Sequence, residues 1–161
     1  MSNTGTERDL LVEFLDWHRA AVHRKVSGLS EQDARKRLVG SLTTPAGIVK
    51  HLAEVERWWF QIVLGGRADV PMVSTVEDPD AAFRTDDDET VPALLAAYEA
   101  ESAVSRELVA AIPDLGFVAP RTVRGKEYSL RWILLHMIEE TARHNGHLDI
   151  LREQLDGATG E

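Results

Sequence analysis

The sequence predicts an all-α protein, an antiparallel four-helix bundle with a long connection between its second and third long helices. Three observations predict it. Apolar residues recur at helical spacing in four long stretches, and no stretch shows the alternation of a half-buried strand. Each stretch is bracketed by residues that start and stop helices. The chain has 161 residues, the length of one domain, 1–161, with enough material to bury a core.

The first long helix is expected from about Thr6 to Lys25, on Leu10, Leu11, Phe14, Leu15, Trp17, Ala21 and Val22, and Gly28 ends it. Ser30 caps a short helix, with Glu31 and Asp33 at its positive end. Thr44 and Pro45 open the second long helix as cap and first-turn residue, and Gly65-Gly66 closes it after Leu64. Residues 65–89 read as irregular, with Pro71, Pro79 and an acidic run that enters the next helix. A connection this long inside a small domain is functional or mobile, and it can cross the bundle. The third long helix runs from about Val91 to Ile112, with Leu94, Leu95, Tyr98, Val104, Leu108 and Val109 as its core side. Residues 113–128 carry Pro113, Gly116, Pro120 and Gly125 and read as irregular again. Ser129 then caps the fourth long helix, about Leu130 to Gln154, which ends before Gly157.

Composition narrows the function. The net charge of -9 argues against nucleic acid, which recruits basic surface. The chain has no cysteine, so it has no disulfide and no thiol nucleophile of its own; any thiol chemistry must use a thiol brought in as substrate. No apolar run reaches membrane-spanning length and the start lacks a signal-peptide core, so a cytoplasmic protein is expected. There is no GxGxxG, no P-loop, no nucleophile elbow around a serine and no His-Glu-x-x-His.

The fourth helix holds the chemistry. His136, Glu140, His144 and His147 lie at offsets of 0, 4, 8 and 11 residues. At about 100° per residue they fall at roughly 0°, 40°, 80° and 20°, within one arc that is read as facing inward. Glu140 and His144, one turn apart, can grip one ion, and nitrogen plus carboxylate oxygen suits zinc and other divalent metals. A third donor must come from another helix. His51, on the side of Ile48, Leu52 and Val55, is the best candidate. Two histidines and a glutamate with an open position are the layout of a catalytic metal centre. A buried histidine that simply hydrogen-bonds a carbonyl is the blander reading of any one of these residues, but burying four polar groups without a shared partner would cost several kcal/mol. His136 and His147 are candidates for proton handling or for a further ligand. His18 and His23 are expected to be non-functional, and Arg143 to pair with an acid. Of the adjacent Trp58 and Trp59 only one can fully face the core, leaving the other for a pocket rim or a homodimer interface.

The segment Leu42 to Phe60, with His51 at its centre, resembles the second helix of the DinB superfamily. Leu130 through Glu153, built around Glu140-Thr-Ala-Arg-His144-Asn-Gly-His147, resembles its fourth. The resemblance covers nearly the whole chain and is closest to the DUF664-type subgroup related to mycothiol-dependent S-transferases and maleylpyruvate isomerase. It implies a four-helix bundle carrying a divalent metal on His51, Glu140 and His144. Many DinB proteins use three histidines; a glutamate at position 140 matches the mycothiol-dependent isomerase branch. The resemblance implies an enzyme that activates a low-molecular-weight thiol, mycothiol or a relative such as bacillithiol, for transfer to a small electrophile or for thiol-assisted isomerisation. His147 or His136 would handle a proton, and loops 65–89 and 113–128 would shape the entrance. Zinc is the first expectation for the metal, with nickel, iron or manganese as alternatives. The competing expectation is a non-catalytic, metal-binding, stress-linked DinB-like protein.

Overall fold

The computed structural model describes residues 3–160. Its long helices are α1 (Glu7–Val26), α3 (Pro45–Glu56), α4 (Val91–Ala111) and α5 (Leu130–Asp156), with a one-turn helix α2 (Glu31–Ala34) after the first. The predicted starts hold because the caps are made. Thr6 and Asp9 form a reciprocal capping box on α1. The side chains of Thr44, Thr90 and Ser129 each accept a backbone N–H two or three residues into their helices. α5 ends in the left-handed Gly157, φ 76°.

The second long helix departs from expectation. Its α-helical part stops at Glu56, and Arg57–Leu64 continues as a π-helix, closed by the Gly65 amide on the Phe60 carbonyl at 2.9 Å. The wider turn changes the phase of the side chains, so Trp58 and Trp59 are both half-buried rather than one in and one out. Residues 113–128 are also more ordered than the sequence suggested. Val118 bridges Ser129 and Val123 bridges Lys126, around a tight turn with positive φ at Arg124 and Gly125.

Side-chain pairings fix the topology. Glu7 meets Arg131, His18 meets Asn145 and Lys25 meets Asp149, so α1 and α5 run parallel. Lys50 reaches Glu89 and Arg57 reaches Glu101, so α3 and α4 also run parallel. The two pairs oppose each other: Arg8 binds the Ile112 carbonyl and Asp16 binds Arg106. The expected long connection 65–89 is what carries the chain back across the bundle and makes α3 and α4 parallel.

The core is shared by all four long helices. On α5 its buried residues Leu130, Leu134, Met137, Thr141, His144, Leu148 and Leu151 alternate in steps of four and three, a coiled-coil seam. One buried ion pair crosses the interior. Arg19 of α1, 3 % exposed, donates to both oxygens of Glu56 of α3, 0 % exposed, at 2.8 and 2.6 Å. Among the described residues no helix is long and apolar enough to cross a membrane.

Candidate metal centre

Antiparallel packing of α3 against α5 brings His51 opposite Glu140 and His144. The Nε2 atoms of both histidines lie 3.3 Å from the same oxygen, Glu140 Oε1. One ligand atom from each of the three residues falls within 4.8 Å of the others. The imidazole rings are 4.9 Å apart and tilted by 60°. His144 is buried and the other two are half-buried, so the cluster sits at the edge of the core. Hydrogen bonds from His144 and then His51 hold the Glu140 carboxyl far below the usual carboxylate range, outweighing partial burial, which acts the other way. The second Glu140 oxygen accepts Arg143 at 3.3 Å, and Arg143 also pairs with Glu139, so the expected acid partner of this arginine exists. His144 Nδ1 is buried and has no hydrogen-bond partner among the described residues, so the one polar contact that orients this ring is the one to Glu140. Two imidazole nitrogens and a carboxylate oxygen converging from two helices are a donor set that fits a divalent transition metal.

His136 and His147 flank this cluster rather than joining it. The α5 seam is centred about 110° from His136 on the helical wheel, which leaves the four-residue arc straddling the core edge. Only His144, nearest the seam, is buried; His147 is exposed. The expectation of four polar groups facing inward is corrected accordingly. His147 packs edge-on to His144 at 5.2 Å and lines a cavity of about 250 Å³ with Val39, Ser41, Thr43, Ile150 and Leu151. His136 stacks on Trp132 at 5.0 Å, meets Trp59 edge-on at 4.8 Å and lies 3.8 Å from Glu139.

Both predicted loops approach the site. From 65–89, the 3₁₀ turn Ala81–Phe83 lays the Phe83 ring flat on His51, centroids 4.4 Å apart at 19°, and 6.1 Å from His144. Three residues of α3 hold this loop. Buried Glu54 accepts the backbone amides of Val73 and Ser74 and the Ser74 hydroxyl. Lys50 donates to the Arg84 carbonyl at 2.9 Å, and Gly47 leaves room for the Phe83 carbonyl, 2.5 Å from where a Cβ would stand. From 113–128, Tyr128 joins Trp59 and Trp132 beside His136. The segment Val39–Thr43 was not anticipated, nor was Phe83. The one available signal was Gly47, a glycine inside a helical pattern, which marks close approach of another backbone.

A helical bundle in which two facing helices converge two imidazoles and a carboxylate belongs to the bundle proteins that build sites from inward side chains. The sequence gives the family. The sequence model described as Mycothiol-S-transferase matches residues 10–157, and the chain belongs to this DinB-like family. In fold it is similar to a solved conserved protein from Enterococcus faecalis, with a TM-score of 0.75 at 15% identity, covering 96% of this chain and 100% of that one. No curated protein matches the sequence.

Proposed function

We propose that this protein is a metal-dependent S-transferase that conjugates a low-molecular-weight thiol of the mycothiol type to a small electrophile. The observation that carries the reading is the convergence of His51 and His144 on one oxygen of Glu140, in a chain of a mycothiol S-transferase family with no cysteine of its own. These three residues would hold a divalent ion, zinc first, which when bound supplies the Lewis acidity that ionises a thiol near neutral pH. The protein supplies the rest. Arg143 holds the second Glu140 oxygen, and Phe83 holds the face of His51. The cavity beside His147 offers apolar walls from Val39, Ile150 and Leu151 for the acceptor and hydroxyls from Ser41 and Thr43 for its polar edge. With a chlorinated acceptor, the sulfur–carbon bond forms as the carbon–chlorine bond breaks. Chloride leaves, and the thiol proton passes through His147 to solvent.

The test is elemental analysis combined with a conjugation assay. The parent is expected to hold about one ion per chain and to conjugate mycothiol to a haloaromatic or epoxide acceptor; folded Glu140→Ala and His144→Ala variants lose both. A parent that holds no ion after reconstitution overturns the metal assignment. A loaded protein that conjugates no thiol overturns the transferase reading and leaves a metal-binding bundle.

A further inference from the structure

The seam between α1 and α4 lies across the core from the His51–Glu140–His144 cluster, which sits between α3 and α5. It contains a cavity of about 420 Å³, the size of a small-molecule site. The reason is local. On α4 the small Ala110 leaves the wall unfilled, and Arg19 of α1, though it lines the cavity, extends across the core to Glu56. The floor is apolar, from Val12, Leu15, Val109 and Leu134.

The polar atoms in the wall are unequally committed. Arg19 spends Nε, Nη1 and Nη2 on Glu56 and Asp16. Arg106 donates Nε to Asp16 and Nη1 to Glu99. Arg8 is folded onto the carbonyls of Val109, Ile112 and Pro113 at the end of α4. Against this, Asp16 receives both arginines on Oδ1 alone, and its Oδ2 accepts no hydrogen bond from the described residues. The negative end of the α4 dipole also points at this end of the seam. A ligand that brings a donor to Asp16 Oδ2 and an apolar body to the floor complements this wall.

We propose that the α1–α4 cavity is a second binding site, separate from the metal centre, for a small amphipathic amine whose ammonium group meets Asp16 and whose apolar part lies along Val12, Leu15, Val109 and Leu134.

Saturation-transfer NMR on the full-length protein with hexylamine, hexanoate and hexanol tests it, alongside an amide shift map of the hexylamine complex. Hexylamine is expected to bind at least about tenfold more tightly than either analogue, because only it complements Asp16. The shifts are expected to centre on Val12, Asp16, Arg106 and Ala110. Ala110→Phe, at an exposed edge of α4, fills the cavity and is expected to abolish binding with metal content unchanged. Equal binding of hexanoate or hexanol overturns the ligand class. No binding, shifts centred elsewhere, or undiminished binding to folded Ala110→Phe overturns the site. If that variant fails to fold, the shift map of the parent decides.

Discussion

Phe83 lies flat against His51, with ring centroids 4.4 Å apart and planes within 19°, although the two are 32 positions apart in the chain. This stacking decides which way the His51 ring faces. Its Nε2 is turned to Glu140 while one face is shielded from water by the only aromatic residue of loop 65–89. Phe83→Ala is therefore expected to weaken metal affinity by about tenfold, the usual effect of losing a group that orients a ligand. It should also lower stability by about 2 kcal/mol, less than for a fully buried phenylalanine. Competition with a chromophoric chelator reads the first effect and urea denaturation the second. An unchanged affinity would mean that α3 alone orients His51.

The same relationship can be broken from beneath. A Cβ on Gly47 would stand 2.5 Å from the Phe83 carbonyl, a backbone atom that cannot swing away. Helix propensity alone favours alanine over glycine by about 1 kcal/mol, so an unobstructed site would be stabilised by the change. Gly47→Ala is expected to do the opposite, lowering the melting temperature and loosening the hold on metal as Phe83 lifts. Stabilisation with full affinity would show that the loop relaxes freely around the added methyl.

The parts of this arrangement readable in the sequence were the local ones. Thr44-Pro45 and Ser129 announce helix starts because a cap is a contact within three residues. Glu140 and His144 announce a shared face because they are one turn apart. What was hidden depends on partners distant in sequence. The π-helical stretch from Arg57 has no composition signal, yet it turns Trp58 and Trp59 together toward the bundle edge. The burial of His144 against the exposure of His147 depends on where the α5 seam falls, and that is set by α1 and α3. Phe83 could not be assigned to the site until the path of the crossover was known.

Arg19 and Glu56 show the same limit, and they make a stability prediction. Both are buried and joined by two hydrogen bonds at 2.8 and 2.6 Å, and Asp16 takes the remaining arm of the arginine at 2.9 Å. Removing one charge strands the other in the core. Glu56→Gln is expected to cost about 3–5 kcal/mol, whereas the double change Arg19→Met with Glu56→Leu is expected to recover most of the loss. Chemical denaturation of the three variants measures this. A double variant as weak as the single one would show that the pair itself contributes net stability.

Acidification should weaken the fold in two stages. Burial pushes the His18 imidazole below its ordinary value, so as pH falls through about 6.5 the unfolded chain takes up a proton that the folded chain resists. Stability then drops. Burial alone would raise the Glu89 carboxyl, but hydrogen bonds from Lys50 and the Asp86 amide, with the charges of Lys50 and Arg35, hold it below its ordinary value. Its contribution is present above about pH 4.3 and is lost as pH falls further. Urea midpoints from pH 8 to 3.5 are expected to decline in both ranges. His18→Gln should flatten the upper decline and leave the lower one intact, and a profile unchanged by that substitution would show that His18 is not its source.

The two histidines flanking the cluster should separate kinetically. His147 is exposed, touches His144 at 5.2 Å and opens onto the cavity proposed for the acceptor, which places it where a proton can be handed to solvent. His136 is stacked on Trp132 and meets Trp59 edge-on, so its surroundings are those of a packing residue. His147→Ala is expected to keep its metal and lower kcat by about a hundredfold, the scale of lost proton transfer. His136→Ala is expected to keep kcat within about threefold and to lose stability instead, as removal of a half-buried ring does. Steady-state kinetics and melting curves on both variants, at matched metal content, distinguish these roles. If His136→Ala shows the larger loss of kcat, the proton leaves on the Trp59–Trp132 side, and the acceptor must be sought there rather than in the cavity beside Ser41 and Thr43.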